Sequence, residues 1–326
     1  MQEVLAGFLV IWVIIAVGFV AGRTGVLGEN GRVVLSRTAF FIGSPALLFT
    51  TLATADVAAV LGPQMLIALT SAYAAFAVFL VASRLLVPER AWSERIFGAM
   101  GASQVNSANL GLPIAAYVLG DAALAAPVIL FQLAIYTPIY VTAIEASLAA
   151  ESRARSQIRR GRRSWQRSVR AALRQLSHTL RNPLVLGSLL GLLASATGFT
   201  VPGPLWDSIE LIGGLSIPAM LIAFGMSLAG ARPLRKEDHR RTDVALASII
   251  KLGVHPALAW VIASVFFGFS GHALLVAVVM AALPTAQNVY VAAVRYAAGE
   301  VVAKDTVLVT TILAIPAMVL VAVLLA

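Results

Sequence analysis

The chain is built from apolar runs of about 20 residues, the length an α-helix needs to cross the hydrocarbon core of a bilayer. Ten such runs can be marked, at 4–22, 33–54, 63–87, 96–120, 122–149, 182–200, 206–230, 243–269, 272–297 and 302–325. Composition points the same way: 60% of the 326 residues are hydrophobic and only 12% are charged. An ordinary soluble domain carries about 25% charged residues. Too few polar side chains remain to cover a water-soluble globule of this length. Most cytosolic enzymes, nucleic-acid binders and disordered proteins are thereby excluded, and an all-α, polytopic membrane protein is expected. The absence of cysteine excludes a disulfide scaffold and thiolate chemistry. The first run follows Met1-Gln2-Glu3, has no basic stretch ahead of it and is long enough to span. A retained helix is therefore expected rather than a cleaved leader.

Charge is confined to a few places. The net charge of +9 is matched by one segment, 151–181, where ten arginines face a single acid, Glu151. If loop 150–181 lies on the cytoplasmic side and the ten spans alternate, 23 of the 24 Lys and Arg fall on that side. The opposite side holds only the acids Glu3, Asp56, Asp121, Asp207 and Glu210. Such segregation predicts cytoplasmic basic loops in an inner or plasma membrane, with both termini extracytoplasmic. The basic loop fits anionic lipid as its partner rather than nucleic acid, because no aromatic interleaving or nucleic-acid fold motif accompanies it. Trp165, Val169, Ala172, Leu173, Leu176 and Leu180 recur at helical spacing among those arginines. Residues 164–181 therefore read either as an interfacial amphipathic helix or as a basic linker.

The two halves of the chain resemble each other. Ser44-Pro45-Ala46-Leu47-Leu48 parallels Ile217-Pro218-Ala219-Met220-Leu221, and the pair Gly18 and Gly25 parallels Gly191 and Gly198. Pro138 parallels Pro316, and polar interruptions fall in spans 4 and 9. The reading is a first repeat over 1–149 and a second over 182–326, joined by the basic loop. Each repeat holds an odd number of spans, five, so the second is inverted in the membrane, an arrangement found in transporters with a midplane site.

The interruptions carry the chemistry. In span 4, Asn106-Ser107-Ala108-Asn109-Leu110-Gly111-Leu112-Pro113 places a flexible glycine and a proline after two amides. Proline lacks an N–H and disfavours helix at the residue before it. A helix break is therefore expected there, and another at Pro284-Thr285-Ala286-Gln287-Asn288 in span 9. A break exposes a half-helix N-terminus suited to an anion, and freed carbonyls suited to a cation such as sodium or to water. Asn106, Asn109, Gly111, Pro113, Pro284, Thr285, Gln287 and Asn288 are accordingly the candidate site. Gln132 and Tyr136, one turn apart in span 5, face either that cavity or a neighbouring helix. Lys251 stands inside span 8, where an ionisable group is a site candidate unless it reaches the interface. His255, before Pro256, reads as a packing residue. No metal-ligand spacing, nucleophile motif or phosphate loop is present, so no catalytic residues or cofactors are expected beyond a coupling sodium ion or proton.

Five-plus-five spans, Ser-Pro-Ala-Leu-Leu-Phe (44–49), Asn-Ser-Ala-Asn-Leu-Gly-Leu-Pro (106–113) and Leu-Pro-Thr-Ala-Gln-Asn (283–288) resemble the auxin efflux carrier family. That family includes bacterial malonate-type permeases and is related to the plant PIN proteins. The resemblance implies a fold shared with bile acid–sodium symporters. Spans 1, 2, 6 and 7 would form a scaffold, often a homodimer interface. Spans 3–5 and 8–10 would form a transport unit that moves against it, with breaks 4 and 9 crossing at the site. Asn109 and Asn288 match the family's crossover asparagines. The implied function is transport of a small organic anion, an auxin-like monocarboxylate or a malonate-like dicarboxylate. A sodium-coupled symporter and a channel or signalling membrane protein are the alternatives.

Overall fold

A computed structural model describes residues 2–156, 181–229 and 240–325. Of the stretch with amphipathic spacing at 164–181, all but Arg181 lies outside these residues.

Twelve helical elements organise the described residues. They are α1 (Gln2–Thr24), α2 (Gly31–Ala53), α3 (Pro63–Leu86), α4 (Trp92–Ser103), α5 (Leu112–Tyr117), α6 (Ala122–Ser152), α7 (Pro183–Thr197), α8 (Gly203–Leu228), α9 (Arg241–Phe266), α10 (Gly271–Ala282), α11 (Gln287–Tyr296) and α12 (Glu300–Leu325). Each apolar run marked in the sequence is helical over most of its length, with runs 4 and 9 each in two pieces. By length and composition, α1, α2, α3, α6, α8, α9 and α12 can cross a membrane, while α7 and α10 are shorter apolar helices. Leu85, Leu211, Val265 and Phe266 stand well exposed on the outside of the bundle. Such a surface is unfavourable in water and natural against lipid.

Four prolines shape these helices without ending them. Four π-helical turns, Ala39–Gly43, Ser107–Gly111, Gln132–Tyr136 and Ile250–Val254, each stop two residues before a proline: Pro45, Pro113, Pro138 and Pro256. In each, the residue just before the proline donates its N–H five residues back, as from Leu112 to Ser107 and from His255 to Ile250. Widening the turn relieves the clash between the proline ring and the carbonyl four residues earlier. Ser44 and Thr137 add side-chain bonds to the carbonyls of Ala39 at 2.8 Å and Gln132 at 2.7 Å.

Two helix pairs pack with their backbones nearly touching. α1 lies along α8, and α7 along α2. A Cβ added to Gly18 would stand 2.3 Å from the Ile222 carbonyl oxygen, and one added to Gly191 would stand 2.7 Å from that of Phe49. The step along the chain from Gly18 to Gly191 equals that from Phe49 to Ile222, so the same contact is made twice in exchanged order. Between the pairs, the hydroxyls of Ser44 and Ser216 meet at 2.7 Å.

The remaining helices form a second bundle in which α3, α4, α6, α9, α10 and α12 adjoin. One of its faces is tied by polar contacts. Arg90 pairs with Asp243 at 3.1 Å, Arg240 with Glu94 at 3.0 Å, and the Ser93 N–H donates to Glu151 at 2.9 Å. Arg95, buried beneath them, donates to the carbonyls of Val87, Pro88 and Arg90 and so ties down the loop that follows α3. The end of α3, the start of α4, the end of α6 and the start of α9 therefore meet on one face, as an alternating path requires.

Candidate functional site

The two interruptions meet. After α4 the chain is extended at Gln104 (φ −80°, ψ 119°), and after α10 it is extended at Leu283 (φ −52°, ψ 147°). Val105 and Thr285 face each other in an isolated antiparallel bridge. The Asn106 N–H donates to the Pro284 carbonyl at 2.8 Å, and the Ala286 N–H to the Gln104 carbonyl at 3.0 Å. Each break thus satisfies the other's backbone, which a membrane interior demands of any non-helical segment. Thr285, fully buried, fastens the crossing. Its N–H donates to Thr310 Oγ1 at 3.1 Å and its hydroxyl to the Gly101 carbonyl at 2.5 Å.

The first break lies earlier than its residues suggest. Gly111 and Leu112 are helical (φ −63° and −59°), so no break occurs at Gly111–Pro113. Pro113 is absorbed by the π turn before it, and Gly111 serves packing, close to Leu283 and Met280. Only at Pro284 does the proline sit in the break itself, with Leu283 pushed into the extended region that a residue before proline prefers.

Past the crossing, two helical stretches start from the same place. One begins at Ser107 and runs through α5; the other is α11, beginning at Gln287. The N–H groups of Ala108, Asn109, Gln287 and Asn288 lie in first turns, where no helical carbonyl precedes them. Both positive helix ends border one cavity of 60 Å³. Its polar lining is Gln104, Asn106, Ser107, Asn109, Gln132, Gln287 and Asn288, and it is closed on another side by Phe40 of α2 and Leu184 of α7. Gln132 donates to Ser107 Oγ at 2.8 Å. Gln104 Oε1, Asn106 Nδ2 and Gln132 Oε1 are buried there with no hydrogen-bond partner among the described residues. Buried amide atoms without partners are costly in a folded protein. Three of them line this one cavity, between two helix N-termini.

The candidate residues therefore divide. Asn106, Asn109, Gln132, Gln287 and Asn288 share the cavity, with Asn109 and Gln287 half-buried and Asn288 exposed at its rim. Pro284 and Thr285 build the crossing. Tyr136 sits behind it, its hydroxyl 2.6 Å from that of Ser103, among the rings of Tyr73, Phe76, Phe131 and Tyr140. It borders a separate space of 20 Å³, room for about one water, with Ser71, Ser103, Gln132 and His255.

Lys251 does not reach the interface: it is fully buried. Its Nζ donates to the Ala281 carbonyl at 2.7 Å and lies 3.0 Å from His255 Nδ1, while His255 Nε2 lies 3.5 Å from the Ser71 hydroxyl. Ala281 is in the last turn of α10, where carbonyls lack helical partners and favour a positive neighbour. Lys251 thus caps the half-helix that ends at the second break.

Sequence reasoning missed Gln104, Ser107, Phe40 and Leu184. Gln104 and Ser107 flank the amides of the motif and offered a weak signal. Phe40 and Leu184 offered none, being ordinary apolar residues of other helices.

Apolar outer helices around a polar, doubly broken interior define a membrane-embedded transporter. Residues 4–322 match the family described as "Membrane transport protein", and the chain belongs to that family. A protein of Rhizobium meliloti (strain 1021) named "Putative malonate transporter" is 31% identical over 134 residues, which is 41% of each chain. The aligned part thus spans well under half of that relative's length. An "Uncharacterized transporter" of Methanothermobacter thermautotrophicus is 25% identical over 291 residues, covering 88% of this chain and 87% of that one.

Proposed function

We propose that this protein is a secondary carrier of small organic anions, auxin-like monocarboxylates or malonate-like dicarboxylates, working by elevator-type alternating access. The observation that carries the reading is the single cavity onto which both half-helix N-termini and the unpartnered amide atoms converge. A carboxylate placed there accepts from first-turn N–H groups and from the Asn109 and Asn288 side chains. The pairs α1 with α8 and α7 with α2 act as the fixed scaffold of a ten-helix, five-plus-five inverted repeat. The twice-made glycine contact supports that repeat, and the backbone approach it allows suits a rigid wall. The helices of the second bundle, with α5 and α11, form the moving unit. A homodimer through the scaffold is consistent with the exposed apolar faces of α1 and α7.

The anion leaves most readily down an inside-negative potential, at about 2.3 kcal/mol per charge per 100 mV. With Lys251 already on the Ala281 carbonyl, one natural place for a coupling cation is taken, which favours potential-driven efflux over sodium symport. In this reading the basic face is cytoplasmic and both termini lie outside.

The test is flux of labelled indole acetate and malonate from proteoliposomes, with and without a sodium gradient. Saturable, sodium-independent flux that falls in Asn109→Ala/Asn288→Ala is the expected result. Equal flux in the double variant and the parent rejects the site, and non-saturable flux without counterflow rejects the carrier in favour of a channel.

A further inference from the structure

Beside the crossing cavity lies a larger one of 240 Å³. Asn109 and Gln287 line both, so the two spaces adjoin. The larger is walled by α2 and α8, and two of its lining residues are Arg32 and Arg37. Both arginines are exposed, and among the described residues neither has a carboxylate partner. They stand on the wall helix, while Asn109 and Gln287 stand at the two broken helices. A short molecule with two anionic ends can therefore be held at one end by amides and helix N-termini and at the other by guanidinium groups.

We infer that Arg32 and Arg37 form the second half of a dicarboxylate site open to the basic face. This rests on the reading above that the crossing cavity takes a carboxylate. A guanidinium fork matches a carboxylate in two parallel hydrogen bonds, a geometry that an amide supplies only in part. A monocarboxylate of the same length uses only the crossing and leaves both arginines to water. Because the arginines belong to α2, their hold is made while the cavity faces this side and is lost when the broken helices move along the wall. They act as a capture and selection device for one side of the transport cycle. Anionic lipid phosphate is the other chemistry an arginine pair at a membrane face can meet, and it predicts no preference between mono- and dicarboxylates.

The experiment compares acids of equal carbon count, malonate with propionate and succinate with butyrate. Affinity is read from thermal stabilisation of the purified protein in detergent and from competition with labelled malonate flux in liposomes of neutral lipid. The parent should bind the dicarboxylate about tenfold more tightly, the scale of two partly screened charge-assisted pairs. In Arg32→Gln/Arg37→Gln the ratio should fall toward one, chiefly through loss of dicarboxylate affinity. Arg32→Lys/Arg37→Lys, which keeps charge without the fork, should restore part of it. An unchanged ratio in the glutamine variant, or equal loss for both acids, overturns the inference while leaving the carrier reading intact. A parent that neither binds nor moves any of the four acids, nor indole acetate, overturns both.

Discussion

The two broken helices end for different reasons. After α10 the cause is local: Pro284 forces Leu283 out of helical geometry. After α4 no proline or glycine stands at the break, and the chain leaves the helix at Gln104. Nothing in residues 103–106 demands that departure, and Pro113, the expected cause, sits within a helical stretch instead. What holds residues 104–106 out of the helix is the segment across from them, through the bonds of Asn106 to Pro284 and Ala286 to Gln104. One break is written in its own sequence, and the other is a response to it. Their freed carbonyls also differ in cover. The Ala281 carbonyl takes Lys251, whereas Gly101 takes the hydroxyl of Thr285 from the opposite segment.

The largest test of this contrast is Lys251→Ala. It empties a fully buried long side chain and strips the cap from the α10 carbonyl, so a loss of about 2–5 kcal/mol is expected. The apparent unfolding temperature in detergent measures it. If the variant melts with the parent, the cap contributes nothing to the second break.

Next is Thr285→Val, which keeps the shape but removes the donor to the Gly101 carbonyl. Leaving that buried acceptor unpaired should cost about 1–3 kcal/mol. Because Thr285 joins both breaks, local opening measured by hydrogen exchange should rise in 101–106 as well as in 283–287. Opening confined to the second segment shows that the first holds itself extended.

The prolines should separate stability from function. Pro284→Ala removes the local stop and should lower both stability and flux. Pro113→Ala gives residue 113 an N–H able to reach the Asn109 carbonyl. The π turn can then relax to an α turn, at about 1 kcal/mol or less in stability. That relaxation turns Asn109 by about 100° around the helix, so flux should fall although the protein melts normally. Equal melting and equal flux would show that the π turn does not aim Asn109.

The smallest effect on transport belongs to the wall. Ser44→Ala breaks the hydroxyl contact with Ser216 and should cost about 0.5–1.5 kcal/mol. It should leave substrate selectivity unaltered, since neither hydroxyl borders the crossing.

Much of the architecture was legible because a bilayer imposes length and charge rules on each helix separately. A run needs about 20 apolar residues wherever its neighbours are, so the helical segments could be located one by one. The amides of the cavity were legible for a similar reason. Asn106, Asn109, Gln287 and Asn288 are polar groups deep in apolar runs, and such groups must find partners whatever the fold. The break in span 4 lies ahead of its proline, because a π turn accommodates Pro113 as it does Pro45, Pro138 and Pro256.

By itself, then, the sequence determined that this chain is helical, where its helices fall, and which polar residues must be sheltered. Only the tertiary structure decided that the chain leaves the helix at Gln104, that Arg32 and Arg37 line a cavity with Asn109, and that Lys251 turns inward to Ala281. Hydrophobic length and amide chemistry act within one stretch of chain. The pairing of one stray backbone segment with another is set by packing between helices far apart in sequence.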